Sequence, residues 1–154
     1  MPEISAGILL FRETSTGPRI LLAHPGGPFF ATKDDGAWTI PKGLIIADEE
    51  PAAAARREFA EEVGWLPAGE LHPLGSVKLR SGKVVHGFAL QSTETEADMI
   101  ARFAPGAFTM EWPPHSDRMA EFPECDRIQF FSLDEARARI NPAQLPFLDR
   151  LGEL

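Results

Sequence analysis

The sequence contains a single cysteine, Cys125, so no intramolecular disulfide can form within its 154 residues. It has no CxxC pair and no cysteine and histidine cluster with the spacing of a zinc site. It also lacks an apolar run long enough to cross a bilayer, and a charged N-terminal segment followed by an apolar one. We therefore expect a cytoplasmic protein without a membrane anchor.

Positive charge is also scarce. Lysine and arginine number 15 against 23 aspartate and glutamate residues, which gives a formal net charge of −8 at pH 7. That balance argues against broad attraction to nucleic acid or anionic membranes, although a local basic patch could still bind phosphate. With 44% hydrophobic and 25% charged residues and no internal repeat, the composition predicts one globular domain over residues 1–154.

Short apolar segments separated by turn residues predict a strand-rich chain with few helices, of the α+β class. The expected strands are residues 4–12, 19–24, 38–40, 74–80, 83–91, 108–112 and the second half of 124–131. The expected helices are residues 51–63, 133–140 and 142–151, and Ser132 with Glu135 predicts a capping box for the second of these. Residues 115–123 are expected to form a loop.

Residues 51–63 carry the clearest helical pattern. Asp48 is the expected N-cap, Pro51 suits the first turn, and Gly64 is placed to end the helix. The alanines between them are the best helix formers. The predicted apolar face, which should pack on a core, consists of Ala52, Ala55, Phe59 and Val63.

The same helix concentrates negative charge on another side, at Glu58, Glu61 and Glu62. Like charges four residues apart destabilise a helix by a few tenths of a kcal/mol, on the order of 0.2–0.5, so a compensating charge is expected. A divalent cation such as Mg²⁺ accepts clustered carboxylate oxygens as ligands. The alternative is a solvated acidic face with Arg56 and Arg57 as local partners.

The spacing around these glutamates favours the metal interpretation. Residues 43–65 read GLIIADEEPAAAARREFAEEVGW, with a glycine, a glutamate, an Arg-Glu pair, a Glu-Glu pair and a final glycine at fixed intervals. At ordinary residue frequencies such a match would arise about once in 10⁸ starting points. The segment resembles the Nudix box, and the chain is in this respect similar to the Nudix hydrolases.

This resemblance implies a fold and an activity. The fold would be the Nudix α/β/α sandwich, with a mixed central β-sheet, the box helix on one side and the C-terminal helix on the other. The activity would be Mg²⁺-dependent hydrolysis of a phosphoanhydride bond in a nucleoside diphosphate linked to another group, with Mn²⁺ as an alternative cofactor. The expected partner is a small-molecule nucleotide, and a homodimer is an open possibility.

The resemblance also implies roles for individual residues. Glu58, Glu61 and Glu62 would bind the metal, and the carbonyl of Gly43 would join them. Glu58 is the first candidate for the general base, and Glu124, which lies outside the box, is the alternative, with Glu121 as its rival for an extra carboxylate. A plain loop glutamate is an equally good interpretation of Glu124.

Two further box residues, Glu49 and Arg57, are spaced to pair across the junction between loop and helix. In the family this pair fixes the loop and does not perform the chemistry, so we expect them to support catalysis in that way. The spacing alone does not distinguish an orienting role from a catalytic one for Arg57.

Substrate-binding residues are expected just before the box and in a basic hairpin. The sequence WTIPKG resembles the lead-in of Nudix enzymes close to the dinucleoside tetraphosphate hydrolases, so Lys42 is a candidate phosphate ligand, against the alternative of a solvated loop lysine. Lys78 and Arg80 could bind distal phosphates or could simply be solvated. Trp38 could stack on a base or belong to the core.

These features favour a dinucleoside polyphosphate or a nucleoside triphosphate as substrate. An inositol pyrophosphate hydrolase and an RNA 5′-pyrophosphohydrolase are alternatives that should show more basic residues than this chain has. A noncatalytic ligand-sensing Nudix module is a third alternative. The complete set of box glutamates argues against it, because such a module can lose a metal ligand.

Overall fold

A computed structural model describes residues 3–154. Its strands are β1 (Ile4–Thr14), β2 (Gly17–Pro25), β3 (Lys42–Leu44), β4 (His72–Lys78), β5 (Val84–Gln91), β6 (Ala107–Glu111), β7 (Met119–Pro123) and β8 (Cys125–Ser132). Its helices are α1 (Pro51–Val63), α2 (Glu96–Ala101), α3 (Leu133–Arg139) and α4 (Leu145–Leu151), with a 3₁₀ turn (Pro142–Gln144) before α4. The longest of these helices has 13 residues, and no helix of residues 3–154 is long and apolar enough to cross a membrane.

The central sheet is mixed, with strand order β4-β5-β1-β2-β8 and β3 paired to β1. Strand β1 is parallel to β5 and antiparallel to both β2 and β3. Strands β6 and β7 form a separate two-stranded antiparallel sheet. The predicted α+β class and mixed sheet are confirmed.

One edge of strand β1 pairs with two other strands. Its first half, from Ser5 to Gly7, pairs with β3, and its last residues, from Phe11 onward, pair with β2. A Cβ atom at Gly7 would lie 2.6 Å from the Pro41 carbonyl oxygen and 2.7 Å from the Lys42 Cβ. Glycine at this position therefore lets the segment that enters β3 pass close over the sheet.

Alternate residues of β1 enter two separate hydrophobic cores, because side chains alternate across a strand. Ile8 and Leu10 pack with Phe59 and Val63 of α1 on one face. Leu9 and Phe11 pack on the other face, where Phe147, Leu148 and Leu151 of α4 complete the core. The box helix and the terminal helix thus cover opposite faces, which confirms the expected α/β/α sandwich.

Helix α1 has the predicted bounds. Pro51 occupies its first turn, and Gly64 ends it in the left-handed region, with φ of 101°. Two details of the prediction were wrong. The N-cap is Glu50 and not Asp48, whose own φ of 65° turns the chain two residues earlier. Ala54 and not Ala52 completes the buried face.

The local signals in the last part of the chain were also informative. Ser132 and Glu135 form both hydrogen bonds of the predicted capping box at the start of α3. Residues 38–40 are not a strand, because Trp38 and Thr39 form only isolated bridges. Residues 115–123 are not wholly a loop, because β7 pairs there with β6. Strands β6 and β7 pair with each other and not with the main sheet. Residues 119–123 also lack a clear apolar pattern, so the sequence does not predict this strand.

Gly87 of β5 provides a test of the packing under α4. A Cβ atom there would lie 2.6–2.9 Å from three atoms of the buried Phe147 ring. We expect Gly87→Ala to lower the free energy of unfolding by about 1–3 kcal/mol, as overpacking of a core does. Urea denaturation measures this change.

Gly152→Ala is the matched control for the same substitution. The φ of Gly152 is −66°, and the nearest atom to an added Cβ would be 3.4 Å away. We therefore expect this variant to change the free energy of unfolding by no more than about 0.5 kcal/mol. Equal stability of the two variants would contradict the packing described for Gly87.

Candidate active site

The acidic face of α1 lies against the backbone of β3. The Lys42 N–H donates to Glu62 Oε2 at 3.0 Å. A Cβ atom at Gly43 would overlap the Glu58 carboxylate, so only glycine permits this approach. Two of the box carboxylates are therefore held where the chain enters β3.

Arg57 connects three of the box glutamates. Its Nε–H and Nη2–H donate to both Glu49 oxygens at 2.8 and 2.9 Å, and Nη2–H also donates to the Leu44 carbonyl at 3.0 Å. Its Nη1–H donates to Glu58 at 2.8 Å and to Glu61 at 3.2 Å. The predicted pair of Glu49 and Arg57 is present, and it ties the loop after β3 to the helix.

A cavity of about 310 Å³ opens beside these groups. Its charged lining residues are Lys42, Glu62 and Glu124. Glu124 therefore joins the box from outside it, whereas the rival Glu121 is exposed on β7 and is not part of the lining. The uncharged lining residues are Ala23, Pro25, Phe30, Gly36, Ala37, Thr39, Leu79, Cys125, Asn141 and Gln144.

The carboxylates of this region are hard to ionise together. Burial raises the pKa of Glu58, of Glu62 (to about 8) and of Glu124, and their neighbouring carboxylates raise these pKa values further. Burial also lowers the pKa of Lys42, against the attraction of Glu62. Additional positive charge at this place would stabilise the ionised carboxylates.

The donor set fits a hard divalent cation, which prefers several carboxylate and carbonyl oxygens. No three acidic, histidine or cysteine side chains within residues 3–154 converge as a preformed metal cage. Arg57 instead contacts both Glu58 and Glu61 and supplies positive charge between them. The crowded carboxylates and the glycine that admits them are consistent with a metal site.

The predicted stacking role of Trp38 was wrong. Its side chain is 2% exposed, its indole N–H donates to Asp34 at 2.7 Å, and the rings of His24 and Phe131 pack against it. The ring is enclosed by its neighbours and does not line the cavity, so it offers no face to a base there. The aromatic residue that lines the cavity is Phe30, which is 36% exposed.

The basic hairpin residues are not part of the cavity wall. Leu79 lines the cavity, whereas its neighbours Lys78 and Arg80 are exposed and absent from the lining. Lys78 is the last residue of β4 and Arg80 lies in the turn that follows, so neither shares the position of Leu79 at the cavity. The expectation that Lys78 and Arg80 contact substrate phosphates is therefore not supported, whereas Lys42 lies where it was expected.

Sequence analysis missed Gln144, which is fully buried in the cavity wall. The Ile40 N–H donates to Gln144 Oε1 at 3.1 Å. These two residues are 104 positions apart, and no motif marks either of them. Only the fold shows that this glutamine belongs to the site.

Comparison with known proteins decides the family. The family model described as NUDIX domain matches residues 1–151. The chain belongs to the NUDIX family. The resemblance of residues 43–65 to the Nudix box is thereby confirmed.

One relative is the RNA pyrophosphohydrolase of Rhodospirillum rubrum, which is 38% identical over 66 residues. That match covers 41% of this chain and only 38% of the relative.

Solved structures share the fold of the NUDIX protein. The NUDIX domain of Shewanella oneidensis NrtR, complexed with ADP ribose, has 15% identity and a TM-score of 0.66 over 99% of this chain and 88% of that one. The C. elegans Ap4A hydrolase has 18% identity and a TM-score of 0.62 over 97% and 96% of the two chains. The MutT protein of Methanosarcina mazei Go1 has 16% identity and a TM-score of 0.60 over 99% and 94%.

The pair of Glu49 and Arg57 predicts a dependence of stability on pH. Hydrogen bonds from Arg57 lower the pKa of Glu49 from 4.5 to about 2. The folded protein thus binds this proton less readily than the unfolded chain, so the pair stabilises the fold above pH 4.5 and its contribution disappears as the pH falls toward 2.

Glu49→Gln should therefore be less stable than the wild type near neutral pH, and the difference should shrink on acidification. Denaturation at a series of pH values measures it. The exposed Glu153→Gln serves as control and should show no such trend. A pH-independent difference for Glu49→Gln would contradict the assignment.

Proposed function

We propose that this NUDIX protein hydrolyses a phosphoanhydride bond of a dinucleoside polyphosphate or a nucleoside triphosphate. The observation that carries the proposal is the cavity in which Glu62 and Glu124 lie beside Lys42. The WTIPKG segment that precedes the box supports the choice of substrate. The basic hairpin does not, because Lys78 and Arg80 do not line the cavity.

The proposed cofactor is Mg²⁺, with Mn²⁺ as the alternative. Glu58, Glu61, Glu62 and the Gly43 carbonyl would hold it. When bound, such a cation neutralises phosphate oxygens and lowers the pKa of a coordinated water.

Side chains of the site would bind the substrate and accept the proton of the attacking water. The Lys42 ammonium would bind a phosphate oxygen at the cavity, because it is the charged donor of the lining. Glu58 would accept the proton of the attacking water, and Glu124 is the alternative base. Burial raises the pKa of each carboxyl, and a higher pKa makes the carboxylate a stronger proton acceptor. Arg57 would orient the loop through Glu49.

The similarity to an RNA pyrophosphohydrolase supports a second candidate, hydrolysis of an RNA 5′-pyrophosphate. The formal net charge of −8 argues against it, since an RNA strand needs a basic track. An inositol pyrophosphate substrate meets the same objection. A noncatalytic sensing role stays an alternative and a homodimer stays an open possibility, whereas a cytoplasmic location stays a prediction.

Product analysis tests the proposed reaction directly. The protein is incubated with and without Mg²⁺ with diadenosine polyphosphates, nucleoside triphosphates, 5′-triphosphorylated RNA, nucleotide sugars and inositol pyrophosphates. Metal-dependent cleavage of the first two classes supports the proposal. Preferred cleavage of the RNA would replace it with the second candidate, and binding without turnover of any compound would point to a sensing module.

Removal of one carboxylate tests the site itself. We expect Glu62→Gln to keep its fold and to lose at least about two orders of magnitude of kcat/KM, because it removes a metal ligand. Steady-state kinetics at saturating Mg²⁺ measure the loss. Glu153→Gln, an exposed substitution of the same kind, should retain wild-type activity. Near-normal turnover by folded Glu62→Gln would refute the assignment.

Cation binding should also stabilise the fold in the absence of substrate. At a free Mg²⁺ concentration about 100 times its Kd, the linkage adds about 2.7 kcal/mol to the free energy of unfolding. The midpoint temperature of thermal unfolding should therefore rise when Mg²⁺ is added and fall back to its original value when a chelator removes the cation. Glu62→Gln should lose most of the shift, and an equal shift in both proteins would indicate binding elsewhere.

A further inference from the structure

Gln144 carries a buried donor that no group in the described chain satisfies. Among residues 3–154, three buried side-chain atoms lack a hydrogen-bond partner: Ser5 Oγ, Trp65 Nε1 and Gln144 Nε2. Only Gln144 lines the cavity that contains Lys42 and Glu62, and its side chain is 0% exposed. A buried N–H without an acceptor is unfavourable, so a group that supplies one would be bound there.

The orientation of this amide follows from its partner. The backbone N–H of Ile40 can only donate, and its acceptor at 3.1 Å is the Gln144 side chain. The atom that faces Ile40 must therefore be the amide oxygen, and the two N–H groups must point elsewhere. Gln144 is also fixed at its backbone, where its N–H donates to the Asn141 carbonyl at 2.8 Å.

A short stretch of backbone sets the distance between Gln144 and the carboxylates. Ile40 donates to Gln144, and Lys42, two residues later, donates to Glu62 at 3.0 Å. The two backbone nitrogens are at most about 7 Å apart. With hydrogen bonds of 3.1 and 3.0 Å at the two ends, the amide and carboxylate oxygens are at most about 13 Å apart, a distance that one nucleotide can span. Both side chains line the same cavity.

The two groups require different chemistry from that ligand. Phosphate oxygens suit the part of the lining that offers the Lys42 ammonium, whereas Gln144 is neutral and has Asn141 and Phe30 among its uncharged fellow lining residues. A neutral donor in a cavity that also contains an aromatic ring suits a flat heterocycle that presents a carbonyl oxygen or ring nitrogen. A nucleobase meets this description.

We propose that Gln144 determines base specificity by donating from Nε2 to an acceptor on the nucleobase of the nucleoside nearest the cleaved bond. The inference rests on the proposed function, since it assumes that a nucleotide occupies the cavity. It assigns the choice of base to a residue that lies outside the box.

Binding of nucleotide analogues to the wild-type protein tests this inference without turnover. Calorimetry would compare the 5′-diphosphates of adenosine, 7-deazaadenosine, 3-deazaadenosine and 1-deazaadenosine, and those of inosine and purine riboside. Each deaza analogue removes one ring-nitrogen acceptor, and purine riboside lacks the 6-oxo group of inosine. We expect one of these deletions to weaken binding about tenfold, as the loss of one neutral hydrogen bond does.

Gln144→Glu isolates the donor. It keeps an oxygen for the Ile40 N–H and removes both N–H groups, so binding of the sensitive analogue should approach that of its parent within about twofold. A carboxyl buried in the same cavity as Glu62 and Glu124 keeps its proton more readily, and its O–H could then donate in place of the amide. The ratio of two affinities is therefore measured up to alkaline pH, where the ionised carboxylate has no donor and weakens all nucleotides alike. Gln129→Glu, an exposed change of the same kind on β8, should keep the wild-type ratio.

Each outcome decides the inference. Equal affinity of the wild type for every analogue would overturn it, and so would a ratio that persists in Gln144→Glu at alkaline pH. Base-dependent binding without hydrolysis of any substrate would refute the proposed reaction and leave the role of Gln144 standing. Hydrolysis that is indifferent to every acceptor deletion would refute the role of Gln144 alone.

Discussion

The approach of the acidic face of α1 to the backbone of β3 is the contact on which the site depends. Glu62 accepts from the Lys42 N–H, and Glu58 lies where any side chain at position 43 would be. Carboxylates held this close lose solvation, which is the main cause of their raised pKa values. The charge of Arg57 and of Lys42 offsets part of that cost, and the remainder is what a cation would relieve.

The sequence was sufficient for features that are set locally. The bounds of α1 follow from a proline in its first turn and a glycine at its end, and the capping box of α3 follows from two residues three positions apart. The cluster of box carboxylates follows from helical spacing. Glu124 was identified only because of the resemblance to a family, since a lone loop glutamate carries no local signal.

Features set by distant contacts were missed or mistaken. Trp38 was a candidate for base stacking because tryptophan suits either environment, and only the rings packed around it show that it belongs to the core. Gln144 had no signal at all, because its partner at Ile40 is 104 positions away. For both residues the deciding interactions join parts of the chain that no local pattern relates. Strand β7 was missed for a different reason, because residues 119–123 lack a clear apolar pattern even though the strand pairs with its neighbour β6.

Both helical layers of the sandwich contribute to the site. Glu62 extends from the helix of one layer and Gln144 from the turn that precedes the helix of the other, and both bind the same short stretch of backbone. The exact separation of the two groups within the limit set by that backbone therefore depends on how each helix packs on the sheet. A larger or smaller side chain deep in either core would shift one of these groups relative to the other and change the space between them, without altering any residue that lines the cavity. The dimensions of this cavity can therefore change through mutations of the interior.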